Sequence, residues 1–117
     1  MNIAVCGWFA QWISARLYDA GIRHQIIWQS VTSDEARKRL KKKKKPDVIL
    51  VWFGWDDFIL ELVQNDSIGS KLVVLKREDP TAQELSTFGR VHNVFDDKGK
   101  LDAAKLVQAF RSTANGQ

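Results

Sequence analysis

Pro46–Asp57 reads PDVILVWFGWDD. Its centre, Val48, Ile49, Leu50 and Val51, is a continuous apolar run of branched side chains. Lysines and a proline precede it, and Gly54 and two acids follow. A short apolar run without alternation predicts a strand buried on both faces, as in the middle of a parallel sheet. Pro46 suits the first position of such a strand, where a missing N–H does least harm. Asp56 or Asp57 is placed to cap a following helix. The strand thus delivers Trp52, Phe53 and Trp55 to the edge where open α/β sheets carry their sites.

The same unit recurs on both sides of this stretch. Upstream, residues 2–6 (NIAVC) predict a strand. Apolar spacings of three and four over residues 9–20 predict a helix that stops at Gly21. Residues 25–29 predict a second strand. Thr32 with Glu35 forms a capping box for a second helix running through SDEARKRLKKKKK. Downstream, a third helix runs from Asp56 or Asp57 to near Asn65, and KLVVLK (71–76) is a buried strand. Asp79-Pro80 predicts a cap and first helical position, for a helix ending near Phe88 and Gly89. A weaker edge strand covers residues 91–95, a turn covers 97–100, and an amphipathic helix covers 101–111. Residues 113–117 form a polar tail after a domain of residues 1–112. Five β-α units predict a flavodoxin-like α/β/α sandwich with a parallel sheet in the order 2-1-3-4-5.

Composition narrows the function. A chain of 117 residues, 44% hydrophobic and 27% charged, suits one globular domain. It has no apolar run near the roughly 20 residues of a membrane span and no signal-peptide pattern at its start. The single cysteine makes no internal disulfide, so a reducing cytoplasm is the expected compartment. The net charge of +4 is uneven. Arg37, Lys38, Arg39 and Lys41, Lys42, Lys43, Lys44 and Lys45 are eight of the 18 bases, and the remainder is ten bases against 14 acids. The protein reads as a mildly acidic domain with one very basic segment. No GxxxxGK[ST] or GxGxxG occurs, so no nucleotide or other cofactor is expected.

Five β-α units with PDVILV as the third strand resemble the receiver (CheY-like) domain of response regulators. That family places its phospho-accepting aspartate after this strand, where the present chain has Trp52. Its paired acids fall at about Cys6 to Trp8, none of which is acidic. Its serine or threonine ending strand four corresponds to Lys76, and its lysine ending strand five falls near Asp96. The resemblance therefore implies a pseudo-receiver, a non-catalytic regulatory or protein-interaction domain. It is most similar to the atypical receivers that precede an ATPase in TadZ/CpaE-type pilus-assembly proteins. That implies a protein partner or a fused effector or ATPase domain.

The physical argument agrees, because aspartyl-phosphate chemistry needs the carboxylate, acids that hold a divalent ion, and a cation. Trp8, Trp52 and Trp55 then either pack over the sheet edge or form a contact surface. Asp56, Asp57, Asp79, Asp96 and Asp97 serve as helix caps or converge on a metal, and capping explains them without one. Cys6 resembles the phosphocysteine of sugar-phosphotransferase IIB domains, which would make the chain a divergent phosphotransfer enzyme. The bulky Gly7-Trp8-Phe9 that follows is unsuited to wrapping an anion. The lysine run either solvates a helix end or binds nucleic acid or an anionic membrane. On the last helix, Leu106, Val107 and Phe110 belong to two apolar edges, one of which is free for a weak homodimer.

Overall fold

The computed structural model describes residues 1–42, 45–52, 54–65, 68, 71–76, 78–88 and 91–114, the last four of these as backbone. Five strands form one parallel sheet: β1 (Asn2–Cys6), β2 (Gln25–Ser30), β3 (Val48–Trp52), β4 (Leu72–Lys76) and β5 (Val91–Asn93). Their order is β2-β1-β3-β4-β5, the flavodoxin-like arrangement. The central strand is the one read from the sequence, and Val48 to Val51 are all buried.

Period-two alternation divides these apolar runs between two cores. Ile3, Val5, Val48, Leu50, Val73 and Leu75 face α1 (Ala10–Asp19) and α5 (Ala103–Ala114). Ala4, Cys6, Ile49, Val51, Leu72 and Val74 face α2 (Ser33–Leu40), α3 (Asp56–Val63) and α4 (Ala82–Phe88). Neither face of the inner strands meets water, which explains why their sequences show no polar alternation.

Helix ends follow local chemistry, with corrections. Gly21, at φ +73°, closes α1: its N–H donates to Tyr18 O and that of Ile22 to Leu17 O. The Thr32 hydroxyl accepts from Glu35 N as expected. However, α2 ends at Leu40, and Lys41 and Lys42 after it are not helical. Lys45 Nζ donates to Leu40 O at 2.7 Å, satisfying a carbonyl that a longer helix would have used. Lys43 and Lys44 lie outside the described residues, as do Phe53 and Gly89 of the expectations above.

The residue before α3 is Trp55, so Asp56 and Asp57 occupy the helix's first turn and do not cap it with a side chain. They complement the positive end of the helix dipole. Thr81, not Asp79, precedes α4, and Thr81 and Glu84 exchange side-chain hydrogen bonds with each other's backbone N–H. Asp79 instead accepts from Asn93 Nδ2.

Strand β5 stops at Asn93, whose Oδ1 accepts from Phe95 N and turns the chain. Phe95 then bridges antiparallel to Leu101. Asp102 accepts from the N–H groups of Ala104 and Lys105 at the start of α5. That helix reaches Ala114, into the stretch expected to be a tail, whose residues 115–117 lie outside the described set. Among the described residues no helix is long and apolar enough to cross a membrane.

Candidate functional site

The C-terminal edge of the sheet carries an aromatic surface. Its first wall is the β1–α1 turn. Gly7 adopts φ +139°, and a Cβ added there would lie 2.5 Å from the Phe9 ring. Gly7 N donates to Ser30 O, tying the turn to β2. Helix α1 begins after Phe9, a residue that cannot cap, and Gln29 Oε1 of β2 accepts from Ala10 N in its place. This bracing buries Phe9 and turns Trp8 outward, with 82% of its surface exposed. One helical turn later Trp12 is 61% exposed.

The floor is Trp52, at the end of β3. Its ring lies between Phe9, with centroids 5.5 Å apart, and Phe95, at 5.7 Å and edge-on. The far wall is Trp55, half-buried and edge-on to Phe58 at 5.9 Å. The Arg37 guanidinium sits 5.4 Å over the Phe58 ring and bridges Asp34 and Glu61. It thereby fixes α2 against α3 beneath that wall. Between the walls is a groove of about 260 Å³, with Val31 at its rim and, among the described residues, no charged side chain in its lining.

Of the positions matched to the receiver pattern, Trp8 and Trp52 share this groove, while Cys6, Lys76 and Asp96 are engaged elsewhere. The Cys6 side chain is fully buried among apolar groups, and burial pushes its thiol up to about 12. The protonated form is a poor nucleophile. Lys76 turns to the α4 side and pairs with Glu84 at 2.6 Å. Hydrogen bonds from Lys76 and from Thr81 N hold the Glu84 carboxyl below its ordinary range. Asp96 lies in the turn after β5 and accepts from the N–H groups of Lys100 and Lys98. Those bonds lower its pKa, the Lys100 contact most. Asp56 and Asp57 are exposed. Among the described residues no three His, Cys, Asp or Glu side chains are grouped to hold a metal ion.

The basic segment divides by partner. Arg37 and Arg39 form ion pairs, the latter with Glu35 at 3.2 Å. Lys38, Lys41, Lys42 and Lys45 are exposed. On α5, Leu106 and Phe110 are buried in the sheet-facing core and Val107 is half-buried. Leu106 and Phe110 form the edge that covers the sheet, and Ala103 and Val107, the other edge, are half-buried.

The outward aromatic face belongs instead to α1. Ala10, Ile13 and Leu17 fill its buried stripe, leaving Trp12 and Tyr18 in solvent. Sequence reasoning assigned Trp12 to the helix's apolar periodicity and missed its exposure. The usable signal was an excess of apolar residues over what one stripe holds. Comparison with protein-family models, curated proteins and solved structures finds no significant match to this chain.

Proposed function

We propose that this chain is a non-catalytic, receiver-like protein-interaction domain whose contact surface is the aromatic edge. The observation that carries the reading is Trp52, wedged between Phe9 and Phe95 where a receiver would keep its acceptor carboxylate. An indole there offers no phosphate-accepting oxygen. The exposure of Trp8 and Trp12 beside an uncharged groove supports the second half of the reading. Large rings with a polar N–H are favoured anchors at protein interfaces. The partner in this reading is another protein, or an effector or ATPase domain fused to this one in a signalling or assembly protein.

Incubation with Mg²⁺ and acetyl phosphate is the direct test. Intact mass is expected to remain unchanged, and a stoichiometric, hydroxylamine-labile adduct overturns the reading. For the contact surface, a partner should lose at least about tenfold in affinity for the W8A/W12A double variant. Unchanged affinity would move the contact elsewhere.

A further inference from the structure

The opposite end of the molecule holds a second concavity. It is a cleft of about 480 Å³ where α2 and α3 end and β3 and β4 begin. Its apolar floor is Leu40, Pro46, Ile49 and Leu62. Three ammonium groups line it, from Lys41, Lys45 and Lys71, which come from two separate connections. None of the three has a carboxylate partner among the described residues. The one acid in the lining among the described residues, Glu61, is engaged by Arg37 at 2.8 Å. Asp47, close in sequence to Lys45, is turned to Asn2 N at 2.7 Å.

Helix ends act against an anion here, since α2 and α3 bring their negative poles to the cleft. Each pole is worth about half an elementary charge. Among the described residues, three ammonium groups outweigh two such poles and leave the cleft with roughly two positive charges. Part of that opposition is already met, because Lys45 Nζ satisfies Leu40 O while remaining charged.

We propose that this cleft binds a small ligand carrying a phosphate group on an apolar body. The cations supply the complement to the phosphate, and the floor supplies the complement to the body. The volume falls within the roughly 300–1,000 Å³ of small-molecule sites. A flat or convex lysine face would suit a polyanion better; here the charges converge on a concavity with an apolar base. The phosphate can come from a soluble organic phosphate or from a lipid headgroup, and the two arms of the test separate these sources.

In the first arm, phenyl phosphate, inorganic phosphate and phenol are titrated into the protein in 150 mM salt and followed by amide NMR. Phenyl phosphate is expected to bind at least tenfold more tightly than either of the others, with shifts centred on Lys41, Lys45 and Lys71. The K45Q/K71Q variant should lose at least tenfold while its dispersed amide spectrum shows it folded. K98Q, in the distant β5–α5 turn, should bind normally. Equal, weak binding of all three probes, or shifts outside the cleft, overturns the proposal. So does a 20-nucleotide RNA that outcompetes phenyl phosphate through the outward Lys38 and Lys42, which would assign the segment to polyanions. In the second arm, phosphatidylcholine vesicles with and without 5% phosphatidylinositol 4-phosphate are sedimented with the protein. Retention by the phosphorylated vesicles alone, lost in K45Q/K71Q, assigns the phosphate to a lipid headgroup. No retention, with phenyl phosphate binding intact, assigns it to a soluble ligand.

Discussion

Trp52 and Trp8 sit a few residues from the same sheet edge and have opposite roles. Trp52 is held on two sides by Phe9 and Phe95, so its ring is part of the core's upper rim. Replacing it with aspartate removes that packing and puts a carboxylate between two rings. Trp52→Asp is expected to cost about 3 kcal/mol by chemical denaturation. It should also remain unlabelled by acetyl phosphate. Restoring the carboxylate restores neither the missing acids near Cys6 nor a free cation, since Lys76 is committed to Glu84. Labelling of this variant would show that the pocket is intact apart from one residue. Trp8 makes so little contact that Trp8→Ala is expected to change stability by no more than about 0.5 kcal/mol. A larger loss in the same denaturation experiment would mean that the ring is structural and not held ready for a partner.

Helix α4 shows how one short element is secured. It has seven residues, too few to be stable alone, and only Phe88 of it is buried in the core. Its start depends on the reciprocal Thr81–Glu84 bonds and on the Lys76 ion pair, which ties it to the end of β4. The Glu84 carboxyl is stabilised in its charged form, so its folded pKa lies below its unfolded value of about 4.3. Its stabilisation is therefore complete above that unfolded value and disappears as pH falls through the folded one. Asp96 has the same sign from its turn, below an unfolded value of about 3.9. Stability should therefore decline below about pH 4. In Glu84→Gln the decline between pH 6 and pH 3, read by urea unfolding, should be shallower. An acid limb as steep as that of the unaltered protein would remove Glu84 from the account.

At the scale of the whole molecule, the two ends of the sheet differ in chemistry. Strand C-termini carry the aromatic groove, and strand N-termini carry the lysine-lined cleft. The two are separated by the height of the sheet, so each can be altered without the other. Helix α5 belongs to neither end, since Leu106, Ala109 and Phe110 are spent on the core shared with α1. Leu106→Ala is expected to cost about 3 kcal/mol, while sedimentation equilibrium finds the same mass as for the unaltered protein. A change of mass without loss of stability would return this helix to the role of an interface.

The order of elements was legible because the signals are local. Apolar runs such as Val48–Val51, the glycine at Gly21 and the Thr32–Glu35 pair each act within a few residues of themselves. That a tryptophan, Trp52, ends the central strand was likewise visible in the chain. What the chain alone did not decide was which apolar residues remain outside. Trp12 and Leu106 both lie in amphipathic helices, and only packing against the sheet turned one outward and the other inward. The cap of α4 was misread for the same reason, and the brace of α1 was not visible. Gln29 braces the start of α1 from a neighbouring strand, and Asp79 is drawn to Asn93 across a loop. The meeting of Lys71 with Lys41 and Lys45 depends on α3 and its flanking turns bringing distant residues together. Hydrogen bonds within a turn are set by sequence, whereas exposure and convergence depend on surfaces that exist only once the sheet has assembled.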